Sequence, residues 1–136
     1  MQKQIRGNEY RTTLICVDSY KDGVPTGHYS NPFCEARSFH GLTQLLTGME
    51  DMLNQMKFPQ SFTTARKFYD VEPFLEETPR EQAQNGVIGT FAVRVLFRQN
   101  ASWQGSVKWL EGDKEEQFRS VLELVLLMDS ALRAKN

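Results

Sequence analysis

The sequence predicts an α+β two-layer sandwich, one antiparallel sheet with two helices on one of its faces. Three patterns carry that expectation. Apolar residues recur at three-and-four spacing in two stretches, 39–56 and 114–133, as on one side of an α-helix. Thr90 to Arg98 alternates like a strand with one covered face. Each helical stretch also follows a hairpin-like pair of segments. Each half of the chain thus has an apolar helix face and an apolar hairpin face that it cannot hide alone, and one shared sheet under both helices is the economical packing.

Taken in order, Arg11 to Tyr20 is rich in β-branched and apolar residues and runs into Asp22-Gly23 and Pro25, which mark a turn. Thr26 to Asn31 is the expected return strand. The segment to Arg37 leads toward a helix, with Ser38 as candidate N-cap. Leu42, Leu45, Leu46, Met49, Met52, Leu53 and Met56 share one side of that helix, and Thr43, Gln44, Glu50, Asp51 and Asn54 lie on the other. The helix should end before Pro59. Ser61 to Phe68 could add a strand, and Tyr69 to Gly89, with Pro73, Pro79 and Asn85-Gly86, reads as an excursion. In the second hairpin, Phe91, Val93, Val95 and Phe97 are expected on the covered side and Ala92, Arg94, Leu96 and Arg98 on the outer one, before a turn at Asn100 to Ser102 and a return over Trp103 to Leu110. Lys114 to Arg133 is the expected last helix, with Glu115 and Glu116 at the positive end of its dipole.

At an offset of 79 residues the two helices align as Phe39 with Phe118, Leu42 with Val121, Leu45 with Leu124, Leu46 with Val125, Met49 with Met128, Glu50 with Asp129 and Leu53 with Leu132. With a one-residue gap, Val17 meets Val95 and Gly27 meets Gly105. A duplicated ββα unit is the simplest reading. The chain is therefore expected to be one domain, 1–136, with repeat-like halves at about 9–57 and 90–134 joined by a 58–89 excursion.

At 136 residues, 40% hydrophobic and 24% charged, the chain has the size and composition of one ordinary globular domain. A net charge of −1 supplies no global field toward nucleic acid or an anionic membrane, so any such binding must be local. The N-terminal residues have no apolar stretch of signal-peptide length. The run from Val121 to Met128, interrupted by Glu123, is too short to span a bilayer. A cytoplasmic location without membrane attachment is expected, with Cys16 and Cys34 reduced.

The candidate chemistry is sparse. Arg94, Arg98 and Lys108 would form a basic outer face beside Gln104, able to meet phosphates. The rival reading is an ordinary solvated strand face, because the aromatic residues alternate to the covered side and stacking platforms need exposed rings. His28, Cys34 and His40 with Cys16 lack the tight ligand pair of a zinc site, so no metal or other cofactor is expected. No nucleophile elbow, glycine-rich phosphate loop or oriented Ser/His or Cys/His set is present, and no catalytic residue is assigned. Met49, Met52 and Met56 continue the apolar stripe and are read as core.

Arg94 to Arg98 followed by Asn100, Ser102 and Gly105 resembles the Arg-x-x-x-Arg and Asp/Asn-x-Ser-x-x-Gly signatures of PilZ domains. That resemblance implies a cyclic dinucleotide clamped by Arg94 and Arg98, with Asn100, Ser102, Gly105 and Lys108 beside it. The chain departs from the family pattern in spacing, since only Gln99 separates the two signatures, and in lacking six barrel strands. Phe97 to Gly112 (Phe-Arg-Gln-Asn-Ala-Ser-Trp-Gln-Gly-Ser-Val-Lys-Trp-Leu-Glu-Gly) together with Phe118 to Leu132 resembles the C-terminal signature of a small bacterial family of unknown function. It covers the last third of the chain and implies a bacterial origin.

The expected function is a non-catalytic interaction or accessory module that self-associates. The last helix carries more apolar surface than one sheet face needs: Leu124, Leu127 and Ala131 form a second stripe beside Phe118, Val121, Leu122, Val125, Met128 and Leu132, which either the first helix or a second copy must cover. The expected partner is a second copy, as in a homodimer, or another protein. The alternative is nucleotide or nucleic-acid binding through Arg94, Arg98, Asn100, Ser102, Gly105 and Lys108.

Overall fold

The computed structural model describes residues 11–61, 63–77 and 88–134. Its elements run β1 (Thr12–Lys21), β2 (Val24–Asn31), β3 (Cys34–His40), α1 (Leu42–Met56), β4 (Glu76–Glu77), β5 (Gly89–Phe97), β6 (Gln104–Trp109), β7 (Lys114–Phe118) and α2 (Val121–Ala134). The strands form one antiparallel sheet in the order β4-β3-β2-β1-β5-β6-β7, and both helices cover the same face of it. The α+β two-layer sandwich is the fold.

Pairing explains the layers. In an antiparallel sheet, directly opposed residues point to the same face. Ile15 opposes Tyr29 and Phe91, Thr13 opposes Val93, and Val93 opposes Val107. These side chains are buried, and they pack with Leu45, Met49, Met52, Leu53 and Met56 of α1 and Leu124, Met128 and Leu132 of α2. The methionines of α1 are core. Two glycines allow close approach: a Cβ on Gly48 would lie 1.9 Å from the Tyr29 hydroxyl, and one on Gly89 would lie 2.8 Å from the Leu132 side chain.

Each half has three strands before its helix, so the unit is βββα and not ββα. Cys34–His40 is a strand against β2, from Thr26 opposite His40 to Asn31 opposite Cys34, where a helix lead-in was expected. Lys114–Phe118 is a strand against β6, where the first turns of the last helix were expected. Its polar Lys-Glu-Glu-Gln run favours a helix by intrinsic preference, and pairing along β6 overrides that preference. Both helices therefore start later than periodicity alone implies. Gly41, at φ 95°, replaces Ser38 as the N-cap of α1, and α1 ends with Lys57 in a left-handed conformation.

Among the described residues of the expected strand from Ser61 to Phe68, Ser61 makes a bridge to Arg98, and Thr63 to Phe68 is exposed without strand pairing. The excursion contributes β4, whose Glu76 and Glu77 oppose Ser38 and Arg37. Pro79, Asn85-Gly86 and residues 9–10 of the first half lie outside the described residues. Among the described residues no helix is long and apolar enough to cross a membrane.

Candidate functional site

The geometry of the expected site turns on a bulge in β5. Up to Val95 the alternation holds, with Phe91, Val93 and Val95 on the helix side and Ala92 and Arg94 on the open side. The register then shifts between Val95 and Phe97, and a bulge exchanges the sides of the residues beyond it. Phe97 is 55% exposed and Arg98 only 3%. Both placements reverse the expectation, and Arg94 and Arg98 do not converge.

Arg98 is instead a tie between the second hairpin and the end of α1. Its Nε donates to the Pro59 carbonyl oxygen at 2.8 Å, its Nη1 donates to Asn54 Oδ1 at 2.7 Å, and Nη1 lies 3.4 Å from Glu50 Oε2. Glu50 Oε1 also accepts from the Trp103 indole at 2.8 Å. A buried guanidinium satisfied in this way is a structural cation, not an outer clamp.

The remaining expected residues hold the hairpin and helix. Asn100 and Ala101 are the left-handed central pair, at φ 58° and 54°, of a turn closed by Ser102 N–H donating to the Gln99 carbonyl oxygen. Ser102 Oγ accepts the Val121 N–H at 2.9 Å, satisfying one free donor at the start of α2. A Cβ on Gly105 would fall 1.9 Å from the Arg94 carbonyl oxygen, so this glycine admits the bulged strand. Lys108 is half-exposed, 3.6 Å from Asp113.

The structure does bring together a different set. Arg94 shares a cross-strand row with Ser106 and Gln117 on the open side of the sheet, and an open groove of about 450 Å³ runs over them, with Phe97 and Arg119 among its lining. Arg94 Nε is screened from water and has no hydrogen-bond partner among the described residues. Arg119 binds Glu123, and this partner holds the Glu123 carboxyl at about 2, well below its usual range. Sequence alternation missed Phe97 and Arg119; a glycine inside the β6 strand pattern was the available sign of a bulge opposite it.

Cys16 and His28 are cross-strand partners, whereas Cys34 opposes Asn31 and His40 opposes Thr26. Among the described residues no group of three or more His, Cys, Asp or Glu could hold a metal ion. Cys16 is buried, and partial burial pushes the Cys34 thiol up.

On α2, Leu124 and Ala131 are buried in the core of this one chain, so these two residues of the second stripe need no second copy to cover them. The apolar residues that remain in solvent are Leu122 and Leu126, 66% and 55% exposed and one turn apart. Ion pairs flank them: Arg119 with Glu123 and Arg133 with Asp129.

No family model, curated protein or solved structure matches the chain.

Proposed function

We propose that this chain is a cytoplasmic, non-catalytic accessory module that self-associates through the outer side of α2. The observation that carries the reading is the pair Leu122 and Leu126, held on a regular helix and rimmed by the Arg119–Glu123 and Arg133–Asp129 pairs. An apolar centre with a charged rim is the anatomy of a protein interface. Covering each leucine returns roughly 1–2 kcal/mol per copy on apolar area alone.

Light scattering on the eluting protein tests this. The wild type is expected at twice the chain mass, and Leu122→Glu with Leu126→Glu at the chain mass with its fold intact. An unchanged mass in the double variant removes the reading.

The two βββα units read as copies of one ancestral unit. Val17 opposes Gly27, which opposes Phe39; Val95 opposes Gly105, which opposes Phe118. Register shifts follow both valines, and both turns use paired left-handed residues, Asp22-Gly23 and Asn100-Ala101. Leu14 opposes Ala92 at the centre of the β1–β5 pairing, which puts the local two-fold axis between the units there.

A further inference from the structure

The groove over β5, β6 and β7 has a defined chemistry. Arg94 contributes a guanidinium N–H that is shielded from water and, among the described residues, unpaired, and such a group gains most from an oxyanion. Phe97, turned outward by the bulge, sets an exposed ring at the same groove. Arg119 lines the same groove with its guanidinium already bound to Glu123, and Glu115 is the one acid of the lining among the described residues. The site therefore suits a ligand that alternates carboxylates with aromatic or aliphatic groups.

The chain carries a segment of that kind. Between 68 and 77, Phe68, Tyr69, Val71, Phe74 and Leu75 are interleaved with Asp70, Glu72, Glu76 and Glu77, and no basic residue intervenes. All five apolar side chains stand in solvent, Phe68 at 100% and Tyr69 at 81%. Arg94, the guanidinium of the lining that Glu123 does not hold, faces four acids and no base in the segment. We propose that the groove docks the 68–77 segment of a second copy of this chain, with a carboxylate on Arg94 and an aromatic ring against Phe97. The inference rests on the self-association reading and adds to it a second contact, distinct from the α2 leucines.

The test is fluorescence anisotropy of a labelled peptide of residues 68–77 titrated with the full-length protein. Saturable binding is expected, weakened at least tenfold by Arg94→Ala, and again by Phe97→Ala, an exposed site where folding is not at stake. Raising salt from about 0.05 to about 0.5 M should weaken it as well. Leu122→Glu with Leu126→Glu should retain peptide binding. A change of mass in that variant with no peptide binding removes this inference and leaves the α2 contact standing; peptide binding with an unchanged mass does the reverse. Binding indifferent to Arg94→Ala overturns the groove assignment. So does a single-stranded oligonucleotide or cyclic dinucleotide that binds through Arg94 where the peptide does not.

Discussion

A single inserted residue in β5 decides what Arg98 is. With strict alternation it would stand beside Arg94 in solvent; with the bulge it reaches Glu50, Asn54 and the Pro59 carbonyl. Removing it leaves the Glu50 carboxylate and the Pro59 carbonyl short of a donor, so Arg98→Ala should cost roughly 1.5–3 kcal/mol in urea unfolding. Glycine supplies the space for this arrangement. Gly105→Ala would set a methyl group against the Arg94 carbonyl, a backbone atom that cannot swing aside, and a loss of about 1–3 kcal/mol or more is expected by the same measurement. A Cβ on Gly27 of β2 would likewise fall 1.9 Å from the Cys16 carbonyl oxygen. Neither the sidedness of Arg98 nor that of Phe97 was legible, because a strand pattern assigns faces by parity and a bulge breaks parity without changing composition.

Among the elements, those with a strong period were legible and those that depend on a neighbour were not. The helices declared themselves through Leu45, Met49, Leu53 and Leu124, Met128, Leu132, all of which are core. β7 was hidden because four of its five residues are polar and exposed, with Phe118 as the one anchor. Its strand state comes from β6 alone. Charged residues also suit it as the end strand of the sheet, where Lys and Glu discourage pairing with another chain. On α2, excess apolar surface was legible while its membership was not, since the boundary between covered and uncovered residues depends on how the helix rolls on the sheet. Because Leu122 and Leu126 face solvent, the Leu122→Glu, Leu126→Glu pair should leave thermal stability of the separated chains within about 0.5 kcal/mol while abolishing association, a division that a core role for these leucines would not allow.

At the scale of the molecule, the two units are locked by reciprocal contacts. Arg98 and Trp103, from the second unit, reach Glu50 on the helix of the first; Tyr20, from the first, donates to Asp129 on the helix of the second at 2.5 Å. Glu50 and Asp129 are the acidic pair of the helix alignment, so corresponding helix positions receive these two cross-links. The hydrogen bond to Asp129, then burial, raises the Tyr20 phenol above 10.0. A group with a raised folded-state value stabilises fully below its unfolded value and loses that contribution as pH rises through the folded one. Stability of the wild type should therefore fall more steeply above pH 10 than that of Tyr20→Phe, which is less stable by about 0.5–1.5 kcal/mol at neutral pH; parallel curves in urea unfolding from pH 8 to 11 would show that the bond does not join the halves.

The outer side of α2 is proposed above as an interface between copies. Native mass spectrometry of freshly purified wild-type protein over a dilution series tests it most directly, because assembly state and any retained ligand appear in one spectrum. A dimer with no added mass, dissociating on dilution, is expected; the chain mass alone at every concentration would rule the interface out.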